Sequence, residues 1–201
     1  VNIANVALFA INGTCSESGR AVVLTGDYSG TVTCGATTWS ENVDFTSAPQ
    51  GTVTLFADHS DAGGNAAAQA SRSYIKDTVA PTVAITSPAA GSLIGASNVA
   101  AYPVSGTCSE NTRNVVISGD ASATAVCTAG AWSANLNFTA AAQGTVTINV
   151  NHSDAGGNSA TQATRNFVKD TVAPTVAVAN PAAGTGIYTV NFATFAVDGT
   201  C

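Results

Sequence analysis

Charge is the first thing this chain lacks. Only 9% of its 201 residues are Asp, Glu, Lys or Arg, against roughly 25% in an average soluble domain, so its surface must be wetted by neutral polar groups. It has no Met, five Leu and three Glu. Long helices draw heavily on those residues, which excludes a helical bundle or coiled coil. Six Lys and Arg against twelve Asp and Glu leave a net charge of −6, which argues against nucleic acid or an anionic membrane as partner. No apolar run is long enough to insert in a membrane, and no leader-type stretch stands at Val1. What remains is Val, Thr, Ala, Ser, Gly and Asn, a composition of strands and turns, with enough Val, Ile, Phe, Tyr and Trp to pack a core.

The chain repeats. FAINGTC at Phe9–Cys15 returns as YPVSGTC at Tyr102–Cys108 and as FAVDGTC at Phe195–Cys201, each 93 residues after the last. At the same offset Cys34 maps to Cys127, Trp39 to Trp132, His59 to His152 and Asp77 to Asp170, and KDTVAPTVA stands at both Lys76–Ala84 and Lys169–Ala177. A period of this size is a whole domain rather than one solenoid turn. The expected organisation is a first repeat over 1–77 with its first strand missing or partial, a second over 78–170, and the start of a third over 171–201. Residues 1–15, 94–108 and 187–201 share one phase, which reads the chain as a window on a longer periodic protein.

Within the second unit, strand signals fall over Pro81–Ser87, Ala101–Cys108, Asn114–Ser118, Ala123–Cys127, Trp132–Phe138, Val146–Val150 and Thr161–Lys169. Val146, Ile148 and Val150 alternate with polar neighbours, the period-2 mark of a strand with one buried face. Seven short strands in roughly 90 residues predict an all-β fold, tandem seven-stranded immunoglobulin-like β-sandwiches. Alternating strand direction then sends the B–C, D–E and F–G loops to one end of each sandwich and the A–B, C–D and E–F loops to the other.

Five cysteines are present. Cys15 and Cys34 are 19 residues apart, as are Cys108 and Cys127, each at the end of a strand running the same way. No Cys-x-x-Cys pair suggests a metal site, so intradomain disulfides Cys15–Cys34 and Cys108–Cys127 are expected, and with them a non-reducing, extracellular location. The mate of Cys201 would fall 19 residues beyond it, which leaves that thiol unpaired.

No catalytic constellation is expected. His59 and His152, the only histidines, each open an HSDAGGN turn and read as polar residues entering a surface turn. Lys76 and Lys169 stand at the exit of the last strand, without the buried Lys–carboxylate–Asn cluster of an isopeptide crosslink. Trp39 and Trp132 read as core anchors. The recurring carboxylates are more informative. The loop assignment sends Glu110, and Asp154 with Asn158, to the end of the second repeat that the linker residue Asp77 enters, with Asp27 facing it from the first repeat. Such oxygens could gather a Ca²⁺, which takes six to eight of them, with Asp61 and Asp170 in the equivalent positions of incomplete joints. The competing reading gives the same residues to Asx turns and to pairing of Asp77 with Arg72 or Lys76.

The order G-T-C … W … G-T-V-T … D-A-G-G-N … K-D-T-V-A-P-T-V resembles the tandem bacterial immunoglobulin-like repeats of large surface adhesins, over essentially the whole chain. The resemblance implies an extender that holds a distal binding domain away from the cell surface, often stiffened by Ca²⁺ between domains. It marks Asp61 and Asp154 of the D-x-x-G-N turns and Asp77 and Asp170 of the linkers as ligand positions. Many such repeats lack cysteine, so the disulfide departs from the pattern. The expected partners are neighbouring repeats of the same chain. Two rival readings stay open. One is a self-assembling filament, with Phe56 as a candidate contact; the other is a ligand- or receptor-binding module, which would need loops that vary between repeats.

Overall fold

The computed structural model describes residues 1–188 and 193–201; residues 189–192, within the expected start of the third repeat, lie outside it. Every described regular element is a strand. In the first repeat β1 (Phe9–Thr14) pairs with β4 (Thr38–Val43), while β2 (Ala21–Gly26), β3 (Gly30–Thr33), β5 (Gly51–His59) and β6 (Ala70–Lys76) form a second sheet in the order β3-β2-β5-β6. The second repeat adds β7 (Val83–Ser87) and the two-residue β8 (Leu93–Ile94) before β9 (Tyr102–Cys108), β10 (Asn114–Gly119), β11 (Ala123–Val126), β12 (Ala131–Leu136), β13 (Gly144–His152) and β14 (Ala163–Lys169). Its sheets run β12-β9-β7 and β11-β10-β13-β14-β8. Last come β15 (Ala177–Asn180) and β16 (Asp198–Thr200), paired with each other.

The seven expected strands of the second repeat are all present. Sequence reading missed β8, which pairs parallel with β14. Two residues carry no periodicity, and the segment leaves the sheet of β7 to join the opposite one only because the two sheets face each other. The first repeat forms the equivalent contact with Val1, whose carbonyl accepts from Asp77 N–H at 2.9 Å, as that of Ile94 accepts from Asp170 at 3.0 Å.

Alternation along the central strands fills each sandwich. Val146, Ile148 and Val150 are buried, and so are Val53 and Leu55. Each core carries an aromatic triad: Phe9, Phe45 and Tyr74 in the first, Tyr102, Phe138 and Phe167 in the second, with ring centroids 5.0–6.4 Å apart. Seventeen buried residues make up the second cluster and eight the first. Trp132 is buried, whereas Trp39 is only partly covered. Both expected disulfides form, Cys15–Cys34 and Cys108–Cys127, each with Cα atoms 6.0 Å apart; Cys201 is free and exposed.

Two readings of polar residues need correction. Lys76 and Lys169 end β6 and β14 as expected, yet both are buried. Each ammonium reaches two carbonyls of a loop distant in sequence: Thr46 and Ala48 of the β4–β5 loop for Lys76, Thr139 and Ala141 of the β12–β13 loop for Lys169. His152 is also buried rather than entering a surface turn. Its Nδ1 lies 2.9 Å from the Asn114 carbonyl and its Nε2 accepts from Glu110 N–H at 3.2 Å, the arrangement of a neutral imidazole with its proton on Nδ1. His59 makes the same pair of bonds with Ala21 and Glu17. The apolar stems and ring of these residues belong to the core, and their polar atoms tie loops to strands.

Candidate functional site

The D-x-x-G-N turn builds itself. In the second repeat Asn158 donates from its backbone N–H to Asp154 Oδ1 at 2.8 Å and from Nδ2 to Asp154 Oδ2 at 2.7 Å. Asp154 N–H returns a bond to the Asn158 carbonyl at 3.1 Å. Gly157, at φ +86°, supplies the left-handed residue that closes the turn. Asp61 and Asn65 make the same bonds in the first repeat, so this geometry is local.

What the joint adds is coverage. Asn158 is 2% exposed and Asp154 4%, whereas Asn65 is exposed. The second hydrogen of Asn158 Nδ2 goes to the Asp77 carbonyl at 2.9 Å, and Asn158 Oδ1 accepts from Ile3 N–H at 2.8 Å. Asn2 Nδ2 adds a bond to the Gly156 carbonyl at 2.8 Å. One buried amide therefore ties the second repeat's turn to the linker and to the first repeat's opening segment, with both of its N–H donors and its oxygen engaged.

The rest of the linker is pinned as well. Gln50 grips Thr78 by both ends of its amide, at 2.5 and 3.0 Å. Thr82 exchanges bonds with Ser109, whose hydroxyl accepts from Thr82 N–H at 2.9 Å. Asp77 caps its own turn, Oδ1 accepting from Val79 N–H at 3.1 Å. After the second repeat Gln143 holds Thr171, and Asp170 Oδ1 accepts from Val172 N–H, in the same pattern. The roles of Gln50, Thr78 and Ser109 escaped sequence reading, although Gln and Thr recur at the repeat offset as Gln143 and Thr171.

Of the residues expected at a cation site, the structure brings Asp77, Asp154 and Asn158 together. Asp27 is occupied inside its own sandwich, where Oδ2 accepts from Thr54 N–H at 2.6 Å, as Asp120 accepts from Thr147. The nearest polar partner of the Glu110 carboxylate is the Ser109 hydroxyl at 3.4 Å. Among the described residues no three His, Cys, Asp or Glu side chains gather as a metal site. As arranged, this donor set does not fit Ca²⁺. Both Asp154 oxygens face N–H donors, and an amide nitrogen stands between that carboxylate and the Asp77 carbonyl.

The electrostatics follow the same bonds. Burial works to raise the pKa of Asp154. Hydrogen bonds from the Asn158 side chain and backbone, and from Gly156 and Gly157 N–H, outweigh that effect and hold it below its ordinary 3.8. Asp61 is lowered as well, chiefly by the Asn65 amide.

No protein-family model and no curated protein sequence matches the chain. Among solved structures it is similar to a Ca²⁺-stabilized adhesin that helps an Antarctic bacterium reach out and bind ice, at 26% identity and a TM-score of 0.52, over 89% of this chain and 48% of that one. It thus spans about half of that adhesin structure. A structure from a 1.5-MDa bacterial ice-binding adhesin aligns at 25% identity and a TM-score of 0.48, covering 86% of this chain and 61% of its own. Fibronectin(III)-like modules of Clostridium thermocellum CbhA align at 15% identity and a TM-score of 0.46, covering 82% and 87%.

Proposed function

We propose that this chain is a structural extender segment of a long bacterial extracellular repeat protein of the adhesin kind. Residues 1–77 and 78–170 act as successive spacer units, and 171–201 as the start of a third. The observation that carries this reading is the pinned linker. Gln50, Asn158 and Ser109 hold its residues 77, 78 and 82 from both sides, a use of polar side chains that serves alignment rather than catalysis or ligand capture. The adhesin with the 0.52 TM-score supports it, and two disulfides suit an extracellular location. The chain acts without turnover chemistry, its partners being neighbouring repeats.

Each unit adds on the order of 40 Å, since an eight-residue strand spans about 26 Å before loops are counted. Small-angle scattering of dilute monomer tests the reading. A stiff, elongated particle is expected; a distance distribution that shows two repeats swivelling freely would overturn it.

Calcium stiffening is the second reading, favoured by the Ca²⁺-stabilized adhesin; it requires the Asp154–Asn158 bonds to open, since the joint as arranged does not fit the ion. The same scattering and melting measurements, run with calcium and with chelator, separate the two. Unchanged curves support a joint closed by these side-chain hydrogen bonds, whereas loss of stiffness in chelator assigns the joint to the cation.

A further inference from the structure

Tension enters the second repeat from the linker through β7 and leaves it through β14 into Asp170. These end strands belong to different sheets, β7 pairing with β9, and β14 with β13 and β8. Each ladder holds one end of the unit, and whatever crosses from the β7 segment to β14 couples the two ends directly. One such crossing is backbone. Leu93 of β8 lies opposite Val168 and Ile94 opposite Lys169, in parallel. Gly91 N–H donates to the Asn166 carbonyl at 2.9 Å, while the carbonyls of Ser92 and Ile94 accept from Val168 and Asp170 N–H at 3.1 and 3.0 Å. Parallel strands drawn from opposite ends slide along each other, so these evenly spaced bonds are strained together rather than opened in turn.

The other crossing is a side chain. Arg165 stands on β14 opposite Ile148, on the inward face that carries Phe167 and Lys169. Its guanidinium reaches the strand of the facing sheet, where Nη1 donates to the Pro88 carbonyl at 2.6 Å and Nη2 to that of Ile85. The register of β7 on β9 slips between Ile85 and Ser87, so the fork takes hold where the ladder of β7 is interrupted. A planar, charged donor suits this task, since it engages two carbonyls at once from a single fixed head. Just before it, Trp132 donates from Nε1 to the Ala84 carbonyl at 3.2 Å and keeps that residue on its own sheet. Following the chain in from the linker, Ile85 and Pro88 precede the β8 bonds, so a pull on β7 reaches the guanidinium first. The whole chain holds six Lys and Arg, and Arg recurs at this phase as Arg72.

We propose that Arg165 is a tension clamp, coupling the strand where force enters the second repeat to the strand where it leaves. Drawing Thr82 and Asp170 apart breaks both guanidinium bonds and the β8–β14 bonds before either end strand can leave its sheet. This role rests on the extender reading and deepens it, by naming the side chain through which a spacer unit resists being pulled open.

Constant-force pulling of the full chain by its ends tests the clamp, with Arg165→Gln as the variant and Ile117→Ala as the control. Ile117 is buried on β10, which pairs with neither end strand. The second repeat is recognised by its longer unfolding step, since 78–170 holds 93 residues and the first repeat 77. R165Q is expected to shorten the lifetime of that step under load by about tenfold, the scale of one charged hydrogen bond. Its urea midpoint should move no further than that of I117A, whose lifetime under load should fall by less. Arg165→Lys keeps the stem and the charge but not the planar fork, and should give a lifetime between wild type and R165Q. Should R165Q not fold, R165K carries the comparison and is expected to shorten the lifetime on its own. Lifetimes equal to wild type in the Arg165 variants overturn the proposal, as does an I117A lifetime shortened as much as theirs at a matched urea shift. Scattering reads linker stiffness without load, so a failed clamp leaves the extender reading standing. A freely swivelling linker removes that reading whatever the pulling shows.

Discussion

Asn158 shows how much one position gains from what is laid over it. Its twin Asn65 makes the same two bonds to its own Asp and no others across repeats, while Asn158 also serves Asp77 and Ile3 from a buried place. Asn158→Ala leaves a buried carboxylate, a carbonyl and an N–H short of partners, at a cost of about 2–3 kcal/mol, against about 1 kcal/mol for Asn65→Ala in its exposed turn. Urea unfolding of the two variants checks the difference. Acid provides a second test. A carboxylate whose folded pKa is depressed stabilises the fold above its unfolded value, near 3.8, and that contribution disappears as pH falls through the lower folded value. The contribution of Asp154 should therefore persist down to about pH 4 and be lost below it. In Asn158→Ala that acid-induced step should shrink, as read by unfolding curves between pH 7 and pH 2.

At the scale of elements, the two repeats share a sequence pattern but differ in how completely the pattern is packed. The second has β7 and β8 closing its sheets around seventeen buried residues; in the first, the phase of β7 falls before Val1, and within these 201 residues eight are buried. Apolar burial contributes roughly 25 cal/mol per Å², so the first repeat should unfold at lower denaturant. Trp39→Phe and Trp132→Phe leave one tryptophan each and let fluorescence follow the repeats separately. Coincident transitions would contradict this order. The disulfides act on extension. Each closes a 19-residue span, worth on the order of 3 kcal/mol in loop entropy. At roughly 3.4 Å per residue, each also withholds about 65 Å of chain from stretching. In single-molecule pulling, reductant should lengthen the unfolding step of each repeat by about that amount and lower the unfolding force.

For the whole molecule, the 93-residue repeat, the Val-Thr alternation and the pairing of Cys15 with Cys34 and Cys108 with Cys127 were legible in the chain itself, because each is a matter of spacing and strand period. So was the meeting of Asp77 with Asp154 and Asn158, which follows from alternating strand direction. Other features needed the fold. Lys169 and His152 look like surface residues in one dimension, and only the facing sheet buries their stems and turns their polar atoms toward loop carbonyls and N–H groups. Asp27 shares the repeat spacing of the joint residues, yet its carboxylate is taken by Thr54 within its own sandwich. Sequence by itself determined the units, their strands and the self-closing D-x-x-G-N turns, since those depend on neighbours a few residues away. Tertiary structure alone decided that an amide nitrogen stands among the joint's oxygens. That depends on which atoms of distant segments arrive at one place, and pattern along a chain does not encode that arrival.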